Sequence, residues 1–337
     1  MELNQRKPDF NNLLRVLKCE VPTRPTLFEL FMNMPLYERL TGRKVADESD
    51  LESLKILVDA FCAAGYDYVS THACNMQFKS SDGRQIKTKS LNDGIMITDR
   101  ASFEDYHFPN PEDYNYSRLE KIAPYLPEDM KLMVMGPGGV LENVIALAGY
   151  DNLCYMLYEE PELVQDLFDA VGSRLVKYYE IASKFDSVGV IMSNDDWGFN
   201  TQTFLSVEDM RKYVFPWHKK IVNVAHGSGI PAILHSCGYM GDVMDDIITN
   251  MCYDGKHSYE DNILPVEKSY ERWGGQIAIM GGIDLDFLIR SSTEEIKARC
   301  ENMLKLASKK GGYALGSGNS IPEYIPYEKY MAMITTA

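Results

Sequence analysis

The segment "PAILHSCGYMGD", residues 231–242, joins a short run of small and apolar residues directly to His235, Ser236 and Cys237. An apolar run of this length between turn-forming residues is typical of a buried β-strand. His235 and Cys237 are two positions apart, so their side chains point to the same face of an extended strand. The pair could bind a metal, the cysteine could be a nucleophile, or both could simply be buried at the end of a strand.

The same arrangement, a strand followed by polar residues and then a helix, recurs along the chain. Apolar residues at helical spacing indicate helices over residues 47–65, 159–185 and 293–312. Strand-like segments begin near residues 26, 66, 131, 188, 231, 252, 276 and 313. Eight β/α units in 337 residues predict one α/β domain over residues 1–337, a TIM (β/α)8 barrel. We expect an N-terminal helical extension before the first strand and a long excursion, which could form a hairpin, over residues 75–100.

The composition favours a globular protein with a small-molecule function. Hydrophobic residues make up 45% of the chain and charged residues 25%, which allows a large core. The net charge of −15 without extended basic patches argues against nucleic acid and anionic membranes as partners. No apolar run approaches the ~20 residues of a membrane span, and the first residues lack a signal-peptide pattern. Seven irregularly spaced cysteines indicate reduced thiols and a cytoplasmic location.

Polar side chains gather at the carboxyl ends of the predicted strands. In a TIM barrel these ends meet on one face, where the active site lies. The residues concerned are Glu29, His72, Asn194, Asp195, Asp196, His235, Cys237, His257, Glu260, Asp284, Ser317 and Asn319. This convergence is the main functional signal in the sequence.

Several motifs in this order resemble the uroporphyrinogen decarboxylase superfamily. They are "GPGG" (136–139), "EEPELV" (159–164), "NDDWG" (194–198), "HSCG" (235–238), "GGID" (281–284) and "GSGNSIP" (316–322). The superfamily includes porphyrinogen decarboxylases and zinc- and corrinoid-dependent methyltransferases, and it is distantly related to cobalamin-independent methionine synthases. The resemblance implies a TIM barrel and an enzyme.

The chain departs from the porphyrinogen decarboxylases at two places. Asn33 stands where those enzymes carry the first of the arginines that grip the substrate propionates. Thr71 and His72 replace the acid that ends their second strand. Porphyrinogen decarboxylation is therefore not expected.

The methyltransferase branch matches better. His235 and Cys237 fall on its His-x-Cys pair, whereas Asn319 falls on its third cysteine. The methionine synthases have a glutamate one strand later, a position that Glu260 matches. The resemblance therefore implies a zinc site formed by His235, Cys237 and Glu260, with His257 as a fourth ligand or as an orienting partner.

We therefore expect a zinc-dependent methyltransferase. It would move a methyl group between a small O- or N-methylated substrate, or a thiol acceptor, and cobalamin carried by a separate corrinoid protein. The alternative is a metal-independent decarboxylase or other lyase acting on a smaller substrate. The predicted catalytic residues are Asp195, Asp196 and His72, and the predicted substrate-binding residues are Glu29, Asn194, Trp197, Asp284 and Asn319. The two consecutive acids could instead be an N-cap for the next helix and one solvated residue.

Overall fold

The eight predicted strands are all present and form one parallel sheet. The structure, a computed structural model, describes residues 6–44, 50–79 and 91–337. Within these ranges the strands are β1 (Thr26–Leu27), β2 (Tyr68–His72), β3 (Lys131–Met135), β4 (Val188–Asn194), β5 (Ala232–His235), β6 (Gly255–His257), β7 (Ala278–Met280) and β8 (Tyr313–Leu315). They are hydrogen-bonded in the order β1-β8-β7-β6-β5-β4-β3-β2. Together with the surrounding helices, this order confirms the predicted TIM barrel.

Side chains join β1 to β2, the two strands at the ends of this order. The buried hydroxyl of Tyr68 accepts a hydrogen bond from Glu29 N at 2.7 Å and donates one to Glu29 O at 2.6 Å. Arg24, just before β1, forms an ion pair with the buried carboxylate of Asp67, just before β2. The barrel wall is thus held together here by a phenol and an ion pair.

In the described ranges, the helices surround the sheet; one precedes β1, one follows β8, and the others lie between successive strands in the sequence. Their bounds are α1 (Phe10–Leu17), α2 (Met34–Thr41), α3 (Leu51–Ala64), α4 (Arg100–Asp105), α5 (Ser117–Lys121), α6 (Val140–Ala148), α7 (Tyr150–Glu159), α8 (Pro161–Ala182), α9 (Val207–Asp209), α10 (Phe215–Gly227), α11 (Val266–Trp273), α12 (Leu285–Arg290), α13 (Thr293–Ala307) and α14 (Tyr327–Ile334). Local sequence sets several of these ends. Pro161 occupies the first turn of α8, and α13 starts with a capping box of Ser292 and Glu295.

Two predicted segments differ in detail from the structure. The sequence over 206–229 predicts a helical segment interrupted near Pro216; in the structure a π-helical turn at Met210–Val214 comes directly before α10, which has Pro216 in its first turn. The excursion expected over 75–100 falls partly on residues 80–90, which lie outside the described residues. From residue 91 it continues as turns into α4.

The N-terminal extension, α1, closes the amino-terminal end of the barrel. Asp9 caps the helix by accepting a hydrogen bond from Asn11 N. Phe10 and Leu17 of α1 pack against Gly189 and Gly255, at the starts of β4 and β6. A Cβ atom at these glycines would lie 2.5 Å from the Phe10 ring and 2.8 Å from a Leu17 methyl group. Both strands therefore need a residue without a side chain where the helix crosses them.

Two further features concern the length of the apolar helices and the state of the cysteines. Across residues 6–44, 50–79 and 91–337, no helix is long and apolar enough to cross a membrane. The seven cysteines are all free thiols.

Candidate metal centre and active site

A cavity of about 860 Å³ opens at the carboxyl ends of the strands. Six of the twelve predicted site residues line it: His72, Asn194, Asp196, His235, Cys237 and Asn319. Apolar side chains such as Leu30, Leu57 and Met135 form other parts of its wall. The polar strand ends therefore converge as predicted, but only half of the predicted residues line the cavity.

Within the described part of the chain, Asp196, His235 and Cys237 bring three metal-binding side chains close together. Their ligand atoms all lie within 4.8 Å of one another. His235 Nε2 is 3.8 Å from Cys237 Sγ and 3.8 Å from Asp196 Oδ1. Ligands at 2.0–2.3 Å in a tetrahedral zinc site are about 3.3–3.8 Å apart. One imidazole, one cysteine sulfur and one carboxylate at these distances would fit a zinc ion held by three protein ligands.

Three neighbours hold the Cys237 side chain in place. Cys237 N donates to Asp196 Oδ1 at 2.8 Å, which joins two of the three candidate ligands. Asn319 Nδ2 donates to Cys237 Sγ at 3.2 Å, and Ser258 Oγ is 3.6 Å from the sulfur. Burial and the Asp196 charge raise the pKa of the thiol well above its usual value. A bound cation would reverse this preference and favour the thiolate.

His235 reaches the cavity from β5, and His257 supports it from behind. His235 is 7% exposed, and burial lowers its pKa to about 4, so the ring is neutral. Its Nδ1 atom is 2.8 Å from Nδ1 of His257. His257 is fully buried, and its Nε2 atom donates to the Ser317 carbonyl at 3.2 Å. Both ring nitrogens of His257 are therefore engaged with protein groups, and His257 does not line the cavity.

The structure brings Asp196, and not Glu260, together with His235 and Cys237. Glu260 follows β6 and lines a second cavity, of about 250 Å³, that also contains Lys256. Ser258, which contacts Cys237, lines this second cavity too. The physical reason is the direction of the side chains: the Ser258 hydroxyl faces the Cys237 sulfur, whereas Glu260, two residues later, faces the second cavity.

The two consecutive acids after β4 have different surroundings. Asp195 is 0% exposed, and its carboxylate accepts hydrogen bonds from Leu141 N at 2.9 Å and Glu142 N at 2.9 Å. It also bonds His218 Nε2 at 2.8 Å, a buried histidine to which the sequence assigned no role. Asp195 therefore caps the N-terminus of α6, while Asp196 faces the cavity. This matches the reading of one acid as a cap, although the capped helix follows β3 and not β4.

Glu29, Trp197 and Asp284 lie outside the cavity lining. Glu29 is 0% exposed and accepts a hydrogen bond from Ser317 Oγ at 2.7 Å; burial raises its pKa to about 8. Trp197 is also 0% exposed and packs edge-on against His218, with ring centroids 4.8 Å apart. Asp284 caps α12 by accepting from Asp286 N and Phe287 N. These three side chains support the structure around the site.

Two cavity residues were missed by the sequence interpretation. Glu142, the third residue of α6, accepts a hydrogen bond from Gly139 N at 3.0 Å. Burial and then the nearby aspartate charges raise its pKa to about 8. The pattern of a glycine followed three residues later by a glutamate, in "GPGGVLE", was an available helix-start signal for it. Arg118 reaches the cavity from α5 and donates to Thr71 Oγ1 at 3.3 Å. In the sequence it lies far from the end of any predicted strand, so no comparable signal existed.

Fold and site together define a TIM-barrel protein with a candidate metal centre at the carboxyl ends of its strands. The family model for uroporphyrinogen decarboxylase (URO-D) matches residues 96–337, more than half of the chain. The chain therefore belongs to the URO-D family, as its motifs predicted.

Curated relatives and a solved structure agree with this assignment. The uroporphyrinogen decarboxylase of Anaeromyxobacter dehalogenans (strain 2CP-C) is 24% identical over 250 residues, 72% of this chain and 68% of that protein. That of Koribacter versatilis (strain Ellin345) is 26% identical over 175 residues, 51% of this chain and 47% of that protein. A methyltransferase from Methanosarcina mazei superposes with a TM-score of 0.73 and 16% identity, covering 96% of both chains. At this identity the structural likeness shows the shared fold.

Proposed function

We propose that this protein is a zinc-dependent methyltransferase that works with a separate corrinoid protein. It would move a methyl group between cobalamin on that partner and a small O- or N-methylated substrate or a thiol acceptor. The observation that carries the proposal is the group of Asp196, His235 and Cys237, in which His235 Nε2 lies 3.8 Å from both Cys237 Sγ and Asp196 Oδ1. The likeness in fold to a methyltransferase supports it.

The residues of the site fit a zinc ion, and each has a distinct task. His235, Cys237 and Asp196 would hold the metal, while Asn319 donates a hydrogen bond to the sulfur. When bound, zinc would supply Lewis acidity toward the oxygen, nitrogen or sulfur atom that carries or accepts the methyl group. Only one of the three ligands is a thiolate, and this harder set favours an oxygen- or nitrogen-bearing substrate over a thiol.

Glu142 supplies a further function in the same cavity. Because its pKa is raised to about 8, it is largely protonated near neutral pH. A protonated carboxyl group on the cavity wall can donate a hydrogen bond to the oxygen or nitrogen from which a methyl group departs. The cavity thus combines three candidate metal ligands with a proton donor.

Metal analysis of the purified protein tests the proposal. We expect about one zinc per chain. Cys237→Ala and Asp196→Asn should each lose most of it, because each removes a ligand. Cys154→Ala and Asp242→Asn are matched controls, since both replace exposed side chains and should retain zinc. A metal-free native protein that still binds its substrate would contradict the proposal.

A transfer assay tests the reaction itself. Reduced cobalamin, which stands in for the partner's cofactor, should gain a methyl group from methyl ethers or methylamines when the zinc-loaded protein is present. The change in the corrinoid absorption spectrum reports the transfer. Absence of transfer from every methyl donor by a fully zinc-loaded protein would leave the metal site but remove the methyltransferase assignment.

The alternative is a metal-independent lyase, which Glu142 and the curated relatives favour. His72, Asp196 and Glu142 line the cavity and could serve as its acids and bases. Carbon dioxide release from a small carboxylic acid by protein treated with a chelator would establish this function. Uroporphyrinogen itself is a poor candidate because Asn33, at the expected arginine position, caps α2 and bonds the Ile321 carbonyl.

A further inference from the structure

A chain of buried hydrogen bonds leads from Glu29 to the candidate metal ligand His235. Ser317 Oγ donates to Glu29 Oε1 at 2.7 Å, and Ser317 N donates to Glu29 Oε2 at 3.3 Å. The Ser317 carbonyl accepts from His257 Nε2 at 3.2 Å, and His257 Nδ1 meets His235 Nδ1 at 2.8 Å. Glu29, Ser317 and His257 are each 0% exposed. We call this set of four residues the Glu29–His235 relay.

The direction of the hydrogen bonds made by the two histidines follows from the Ser317 carbonyl oxygen, which accepts from His257. A carbonyl oxygen only accepts, so His257 Nε2 carries a proton. The His257 ring is fully buried without a carboxylate among its hydrogen-bond partners, so desolvation keeps it neutral. A neutral ring protonated at Nε2 has a lone pair at Nδ1. His235 must therefore donate from its own Nδ1, which leaves a lone pair on His235 Nε2.

The packing around the relay keeps this arrangement fixed. The Phe28 ring meets the His257 ring edge-on, with centroids 5.1 Å apart. Gly281 has φ +68°, and a Cβ atom there would lie 2.2 Å from Ser317 O and 3.2 Å from His257 Nε2. A glycine at this position thus leaves room for the bond between His257 and Ser317.

We propose that Glu29, Ser317 and His257 are positioning residues that fix the tautomer and orientation of His235, so that its Nε2 lone pair points at the metal. This inference rests on the proposed function for the identity of the metal. Glu29 clamps Ser317 through both its hydroxyl and its N–H group. Ser317 aligns His257, and His257 leaves His235 a single tautomer. Loss of an orienting partner of this kind typically weakens metal binding by about 10- to 100-fold.

The first test needs no metal. Nitrogen-15 NMR of the apoprotein labelled at histidine distinguishes protonated from unprotonated ring nitrogens, and single-histidine variants assign the signals. We expect His235 to be protonated at Nδ1 only and His257 at Nε2 only. A proton on His235 Nε2 would overturn the inference, even if the protein binds zinc.

The second test compares two substitutions of the same residue. The amide of His257→Gln can accept from His235 and donate to Ser317, whereas the side chain of His257→Leu can do neither. Zinc affinity, measured by competition with a chromophoric chelator, should remain within about threefold for His257→Gln and fall about 10- to 100-fold for His257→Leu. Equal affinities for the two variants would overturn the relay, because packing alone would then explain the role of His257.

Cobalt substitution gives a reading of geometry that is independent of affinity. The His257→Leu variant loaded with Co²⁺ should show an altered ligand-field spectrum, and His257→Gln should match the native protein. If the native apoprotein shows the expected tautomers but binds neither metal, the proposed zinc function fails while the relay stands. If it binds zinc with the opposite tautomers, only the relay fails.

Discussion

Arg118 gives the cavity an internal positive charge. Among the described residues that line the cavity, it is the only lysine or arginine. It reaches the cavity next to Thr71, on β2, whereas the candidate metal ligands follow β4 and β5. Three strand spacings of about 4.8 Å each separate β2 from β5 along the sheet. Arg118 and the candidate metal ligands therefore line the same cavity from different strands.

This arrangement predicts a preference for methyl donors that carry a carboxylate. Arg118→Met should weaken the binding of methoxybenzoate by about 10- to 100-fold, the usual cost of a lost charged hydrogen bond. It should leave the binding of uncharged methoxybenzene nearly unchanged. Isothermal titration calorimetry on the two ligands measures the difference. Arg100→Met, which removes a surface ion pair with Asp166, is the control, and equal losses for both ligands would refute the preference.

Asp195 and Asp196 are neighbours in the sequence with different surroundings: Asp195 supports helix α6, and Asp196 belongs to the candidate metal site. The Asp195 carboxylate receives two backbone N–H groups of α6 and the His218 ring. Asp195→Asn retains one acceptor oxygen and should lower the free energy of unfolding by about 1–3 kcal/mol. Its folded fraction should still bind zinc. Asp196→Asn should show the reverse: near-native stability and little zinc.

Urea unfolding and metal analysis of the same two preparations check this pair. The comparison is informative because the variants differ by one position and make the same chemical change. A loss of zinc in folded Asp195→Asn equal to that in Asp196→Asn would show that the two acids act together.

The elements of this fold were predictable to a large extent, and the site only in part. Eight strands and their spacing follow from local apolar runs and helix caps, which are properties of short segments. The direction in which a side chain points after the end of a strand depends on the path that the chain takes there, and no local sequence pattern encodes this path. Local pattern therefore predicts Asp195 and Glu260 as site residues, and it gives no reason to expect the helix residue Glu142 in the cavity.

The barrel as a whole is closed at Glu29. Its backbone is bonded to the Tyr68 hydroxyl across the junction of β1 and β2. Its carboxyl group is bonded to Ser317, beyond β8. Burial raises the pKa of this carboxyl group from 4.5 to about 8. The charged form of Glu29 is thus disfavoured at the place where β1 contacts both β2 and β8.

Global stability should therefore depend on pH through Glu29. An acid with a raised folded-state pKa stabilises the fold fully below pH 4.5, and this contribution is lost as the pH rises through about 8. The free energy of unfolding of the native protein should fall relative to that of Glu29→Gln between these pH values. The slope should be at most about 1.4 kcal/mol per pH unit. Urea titrations of both proteins from pH 5 to 9 measure it, and a constant difference would show that Glu29 ionises normally.

The position of α1 has a consequence for the order of events in any two-substrate reaction here. The cavity opens at the carboxyl ends of the strands, opposite the strand starts on which α1 packs, so molecules enter and leave it at the carboxyl end. A small donor and a large protein acceptor would then share one entrance. Each must leave the entrance before the other can bind, so the small donor and the protein acceptor would bind in alternation. An excess of either one would then inhibit the reaction of the other.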